Sequence, residues 1–301
     1  MQLPTTTLAA ASAALAWASI HHRSPAPRRW QPSRLPRVRT GDLSARCGGS
    51  GDSAVMLLHG LISTGDIFGS AFDRLAIDRI VINPDLLGFG HSLSLTRAQF
   101  TVDDHLDALD ALVDATDVAD RPIRIGAHSM GSAVALAWAR RHPNRVESVL
   151  CWGAPMQRSR QSAIEQLSGS AMASLFALNT NLARRACGIS CRHRETAGWL
   201  AVLADPRLPI PVARAVPLHT WPAYRDALEH LVLDVDWSGL VEHASDNDIP
   251  VELMWGNHDN AADHAFVDDL LGIWPTTTRE VVPAADHRLP LTHPVLCRDR
   301  L

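Results

Sequence analysis

The chain contains no lysine: all 28 residues of its Lys+Arg total are arginine. That absence removes Schiff-base chemistry, a Ser-Lys dyad and a P-loop phosphate site, each of which needs a lysine amine. Arginine cannot stand in, because its guanidinium does not deprotonate at working pH. Cysteine is scarce and scattered, at Cys47, Cys151, Cys187, Cys191 and Cys297. An odd, dispersed set makes no disulfide framework and suits a reducing compartment, so a cytoplasmic location is expected. Cys187 and Cys191 could pair or join His193 around a metal, but no fourth ligand stands at zinc-like spacing, so no metal is expected. Acidic residues are absent from Met1 to Thr40, where Arg23, Arg28, Arg29, Arg34, Arg37 and Arg39 stand. The net charge is nevertheless −4. The remainder is therefore acidic, and nothing recommends a nucleic-acid partner.

Four stretches are expected: 1–37, 38–155, 156–240 and 241–301. The first opens on an Ala-rich apolar run, Leu8 to Ile20. It has no basic residue before it and is short for a bilayer span. It reads as a surface helix, with weak membrane association as the alternative. Ser24 to Pro36 is rich in Pro and Arg and reads as a linker. Apolar runs without alternation follow at Ala54–Leu58, Arg79–Asn83, Ile123–Ala127, Val146–Trp152 and Val251–Trp255. Such runs suit strands buried on both faces of a parallel sheet. Leu106, Leu109, Leu112 and Val113 share one helical face, and Ser132 to Arg141 is a second helical segment, ended by Pro143. Strand alternating with helix implies an α/β sheet. The rhythm breaks from Met156 to about Leu240, where only helical pattern is visible, and a helical insertion is expected there.

The strongest chemical signal is Ile125-Gly126-Ala127-His128-Ser129-Met130-Gly131, where a buried run turns into a helix. A serine on such a bend presents its hydroxyl above the sheet, and small residues are needed two before and two after it. Ala127 and Gly131 fill those places, Ala127 where glycine is commoner. Capping a helix is the bland role for such a serine. A serine nucleophile needs a base, and its oxyanion needs two N–H donors. Met130 should supply one N–H, and Leu61, in the loop Leu57-Leu58-His59-Gly60-Leu61, the other. His59 is expected to bond that loop's backbone.

In this arrangement an acid and then a histidine follow the serine. Asp259, after Met254-Trp255-Gly256-Asn257-His258, is the candidate acid; capping a helix from Asn260 is its bland alternative. His287, after Arg279–Val282 and Pro283-Ala284-Ala285-Asp286, is the candidate base. Asp259 would hold the imidazole tautomer, and His287 would take the serine proton. His258, Asp259, Asp263 and His264 match no metal-ligand spacing.

Together these segments, with Pro84-Asp85-Leu86-Leu87-Gly88-Phe89-Gly90-His91-Ser92, resemble the α/β-hydrolase superfamily, serine esterase and lipase branch, from about Val38 onward. The resemblance implies a mainly parallel eight-stranded sheet flanked by helices and a helical cap near Met156 to Leu240. It also implies a non-catalytic role for the Pro84–Ser92 loop beside the site. Relatives of the fold that open epoxides or remove halogen use an aspartate nucleophile; serine at 129 favours acyl chemistry. The expected substrate is a small-molecule ester with a medium-chain or bulky hydrophobic acyl group, in a pocket lined by Trp152, Met156, Leu175 and Phe176, with no cofactor. C–C bond hydrolysis, perhydrolysis or acyl transfer by the same triad, and a slowly turning-over binding protein, are the alternatives.

Overall fold

The apolar runs form the middle of one eight-stranded sheet in a computed structural model, which describes residues 5–116, 118, 121–168 and 181–301. The strands are β1 (Arg37–Thr40), β2 (Leu43–Gly48), β3 (Ala54–Leu58), β4 (Ile80–Asp85), β5 (Ile123–His128), β6 (Val146–Trp152), β7 (Val251–Gly256) and β8 (Thr277–Val282). They lie in the order β1-β2-β4-β3-β5-β6-β7-β8. β2 pairs antiparallel with β1 and β4; every other pair is parallel. β1 and β2 were not legible as apolar runs. β1 is an edge strand, Arg-Val-Arg-Thr, and it turns into β2 over Gly41-Asp42, with Gly41 at a φ of +53°. Such a two-residue hairpin turn needs positive φ, which glycine adopts without a side-chain clash.

β3 shows why the central runs do not alternate. Ala54, Met56 and Leu58 enter one core while Val55 and Leu57 enter the other, and all are fully buried. The first core is closed by the helices Val102–Asp114, Gly131–Arg141, Trp237–Asp246 and His264–Ile273, through residues such as Leu109, Trp138, Val241 and Val267. The second is closed by Gly69–Phe72 and the C-terminal helices, through Phe68, Phe72, Leu289 and Leu301. Thr101 starts the helix Val102–Asp114 with a reciprocal cap: its hydroxyl accepts from the Asp104 N–H, and the Asp104 carboxylate accepts from the Thr101 N–H.

Between β6 and β7 the chain forms helices Arg160–Ser168, Asn181–Arg192, Arg194–Ala204, Ile210–Ala215 and Trp221–Leu228, with no strand among the described residues. Leu175 and Phe176 lie outside the described residues. Among the described residues, no helix is long and apolar enough to cross a membrane. The N-terminal helix, Thr5–Arg23, is instead tied to this inserted layer: the Trp17 indole donates to the Val202 carbonyl, and His21 Nδ1 lies 2.9 Å from the Pro206 carbonyl. Ser24 to Pro36 differs from a free linker. Ala26 is buried, Arg29 donates to the Thr292 carbonyl at 2.8 Å, Trp30 donates to the Asp66 carbonyl, and Ser33 donates to Asp73. Its proline and arginine content marked irregular backbone, but that backbone finds fixed partners on the domain.

One buried group sets an acid limit on stability. His105, fully enclosed with neither ring nitrogen bonded among the described residues, has its pKa pushed down to about 4, chiefly by burial. The ring is neutral when folded and titrates near pH 6.5 when unfolded. Between those values the unfolded chain binds more protons, so stability falls as pH falls from about 6.5 to about 4. The loss from this ring alone is about 3 kcal/mol. His105→Leu is expected to move the acid-unfolding midpoint, followed by far-ultraviolet circular dichroism, to lower pH; an unchanged midpoint would contradict this account.

Candidate active site

Ser129 sits between β5 and the helix Gly131–Arg141, at a φ of +54°. A non-glycine residue in that region is strained, and it is held there by the bonds on either side. The Ser129 N–H donates to the Trp152 carbonyl at 2.8 Å, and the Ser132 N–H donates to the Ser129 carbonyl at 2.9 Å. The need for small flanking residues is explicit in the packing. A Cβ at Gly131 would lie 2.6 Å from the Leu58 carbonyl oxygen, and one at Gly60 would lie 2.9 Å from the Ser129 Cβ. Ala127 is fully buried, and its methyl is accommodated in the core.

Three side chains, distant in sequence, then fall into line. His287 Nε2 is 3.0 Å from Ser129 Oγ, and His287 Nδ1 is 3.0 Å from Asp259 Oδ2. A carboxylate only accepts, so Nδ1 carries the hydrogen and Nε2 presents its lone pair to the serine hydroxyl. The Asp259 side chain is 1% exposed and that of His287 38% exposed, so the carboxylate is enclosed while the imidazole reaches solvent. Burial alone would raise the Asp259 pKa. The hydrogen bond and charge of His287, the Ala261 N–H and His128 outweigh it and hold the carboxyl below its usual range. Asp259 does not cap a helix: the next one, His264–Ile273, is capped by Asp263.

The loop after β3 faces the same bend. Among the described residues, neither the Leu61 nor the Met130 N–H donates to a protein acceptor. His59 braces this loop. Its Nδ1–H donates to the Gly60 carbonyl at 2.7 Å, and its Nε2 accepts the Leu86 N–H at 2.8 Å. It is fully buried, and burial lowers its pKa, consistent with a neutral supporting ring. Asp85 supports the loop from behind: its carboxylate accepts from the N–H groups of Gly65 and His91, each at 2.8 Å, and from Arg37 at 2.9 Å.

Two supporting groups escaped sequence reading. Gly153, at a φ of +63°, lies directly against Asp259 and His287; a Cβ there would stand 2.9 Å from both Asp259 Oδ2 and His287 Nδ1. The glycine directly after β6 was the available signal. His128 places its Nε2 2.9 Å from the His287 carbonyl, and its pKa is pushed down to about 3, chiefly by burial. It is a neutral donor that fixes the His287 loop.

The expected pocket residues need correction. Trp152 is fully buried beside Phe68 and Phe72, with ring centroids 6.0 and 5.8 Å away, in the second core. Its strand's alternation sends the side chain below the sheet, away from the serine bend. Met156 is also fully buried, in the first core, and its side chain presents no surface to a ligand. Of the candidate histidine–carboxylate cluster near His258, no metal-like group forms among the described residues.

The region 53–186 matches the family model for the alpha/beta hydrolase fold. With the sheet order and the serine bend, this match shows the α/β-hydrolase fold. An uncharacterized protein of Mycobacterium tuberculosis is 27% identical over 227 residues, covering 71% of this chain and 63% of its own length. The probable lysophospholipase BODYGUARD 4 of Arabidopsis thaliana is 24% identical over 251 residues, 77% of this chain and 59% of that protein. The chain thus spans about three-fifths of these curated relatives. Among solved structures, a thermophilic esterase from Thermogutta terrifontis superposes with a TM-score of 0.65 at 20% identity, over 88% of this chain and 96% of the esterase.

Proposed function

We propose that this chain cleaves carboxylic esters with a hydrophobic acyl group through an acyl-enzyme on Ser129. The observation that carries the reading is the unbroken line Ser129 Oγ–His287 Nε2–His287 Nδ1–Asp259 Oδ2, with both gaps at 3.0 Å. His287 takes the hydroxyl proton as Oγ attacks the acyl carbonyl. The Leu61 and Met130 N–H groups accept the developing oxyanion's charge as hydrogen-bond donors. The alkoxide leaves with the proton from His287. Water, deprotonated in turn by His287, attacks the acyl carbon, and Ser129 regains its proton as the acid departs. Asp259 stays ionised and stabilises the imidazolium.

The names of the relatives, an esterase and a probable lysophospholipase, support ester chemistry. Apolar surface beside the oxyanion loop supports a hydrophobic acyl group: Leu61 is half-buried and Ile62, at a φ of +49°, is 40% exposed. The test is a series of p-nitrophenyl esters of rising acyl length, assayed without added metal. Turnover is expected to rise from acetate to a medium-chain optimum. Turnover confined to acetate would contradict the hydrophobic acyl site, and no turnover on any ester would contradict the esterase reading.

A further inference from the structure

The cysteine pair on the inserted layer acquires a partner that sequence spacing hid. Cys187 and Cys191 are four residues apart on the helix Asn181–Arg192, so their side chains share one face. Their Sγ atoms are 3.4 Å apart. The third group is His219, 28 residues beyond Cys191 in sequence and carried by the segment just before the helix Trp221–Leu228. One ligand atom from each of the three residues lies within 4.8 Å of the other two. His219 and Cys187 are buried and Cys191 is partly buried, so the cluster is enclosed.

We propose that Cys187, Cys191 and His219 bind a thiophilic divalent cation, Zn²⁺ foremost, which fastens the helix Asn181–Arg192 to the segment around His219. The donor set is two sulfurs and an imidazole, which suits Zn²⁺ and not a hard cation such as Mg²⁺. Around a tetrahedral Zn²⁺ the ligand atoms stand about 3.5–3.8 Å apart, so the observed cluster needs only small side-chain adjustments. His219 is already oriented. Its Nδ1–H donates to the Val216 carbonyl at 3.0 Å, leaving the lone pair on Nε2. A backbone carbonyl fixing the other ring nitrogen is the usual support of a metal-binding histidine. Cys191 Sγ and the Arg194 guanidinium both meet the His219 carbonyl, at 3.0 and 3.3 Å, so the two segments are already in register. Binding replaces the two thiol protons, which pass to solvent, and leaves the fourth coordination position to water; no oxidation state changes.

The site also has a route to the serine bend. His219 bridges to Phe89, and the Gly90 N–H donates to the Leu218 carbonyl at 2.8 Å. Phe89 packs edge-on to His59, the ring that braces the Gly60–Leu61 loop. Fastening His219 therefore steadies the inserted layer over that loop. This proposal does not depend on the esterase reading.

The test uses the full chain, reduced and stripped of metal, titrated with Zn²⁺ and separately with Co²⁺. Native mass spectrometry is expected to show one Zn²⁺ per chain, and Co²⁺ is expected to give a thiolate-to-metal charge-transfer band. Both signals should be lost in Cys191→Ser and in His219→Ala but kept in Cys47→Ala, a cysteine outside the cluster. Zn²⁺ should raise the unfolding temperature of the parent chain and not of Cys191→Ser. Circular dichroism confirms that the variants are folded, and Cys187→Ala supplies an independent third variant. Absence of stoichiometric binding to the reduced parent, or equal binding by the folded variants, would overturn the site. A Cys187–Cys191 disulfide whose reduced form takes up no metal would overturn it as well.

Discussion

Ser129→Ala is expected to lower kcat on a reactive acyl ester by roughly 10⁵-fold or more, the scale on which serine triads fail when the nucleophile is lost. Fluorophosphonate labelling should disappear with it. The fold should survive, because the bonds that hold the bend use the main chain: the 129 N–H to the Trp152 carbonyl and the Ser132 N–H to the 129 carbonyl. Unfolding by denaturant should therefore move little. Retained turnover in the alanine variant, with the contaminating host esterases removed, would exclude Ser129 as the nucleophile.

The second large effect comes from the hydrogen bond between Asp259 and His287, which can be attacked from two sides. Asp259→Asn removes the charge and lets an amide oppose the Nδ1–H, favouring the wrong imidazole tautomer. Comparable changes in serine proteases cost about 10⁴-fold in kcat. Gly153→Ala keeps the acid and the base but places a methyl 2.9 Å from both bonded atoms. The pair must separate, and a misplacement near 1 Å costs about 10²-fold. Alanine at a φ of +63° also destabilises the fold by roughly 1–2 kcal/mol. The two variants should thus differ in kind: Asp259→Asn slow but stable, Gly153→Ala slow and less stable. Full activity in Gly153→Ala would mean that the 3.0 Å contact between Nδ1 and Oδ2 does not matter for turnover.

The centre of the fold was legible because the physics there is local. β3 is an unbroken apolar run, and β5, β6 and β7 are mainly apolar and buried apart from Arg124, from Glu147 and Ser148, and from Glu252 near their starts; the serine bend follows β5 directly. β1 was illegible for the opposite reason. It is a short, half-exposed edge strand whose pairing with β2, not its composition, makes it a strand. In the site, Ser129 and Asp259 were readable because they follow β5 and β7, which apolar residues mark; His287 follows β8, a largely exposed Thr-Thr-Arg-Glu-Val-Val strand, and was readable from its place after the acid near the C-terminus. Trp152 was misread from the same strand signal: it ends a strand beside the site, but alternation turns its ring to the far core. Gly153 and His128 act through space on a pair of residues far along the chain, a relation that no local pattern carries. His219 likewise joins Cys187 and Cys191 only after folding, which is why the neighbouring His193 drew attention instead.

Capture of the acyl-enzyme tests the central claim most directly. The full chain is mixed with a medium-chain p-nitrophenyl ester, quenched in acid within the first turnovers, digested and mapped by mass spectrometry. The account predicts one acyl group per chain, on the peptide containing Ser129, accumulating with the initial burst of nitrophenolate. An acyl group on another residue, or steady turnover with Ser129 unmodified throughout and a burst absent, would contradict it.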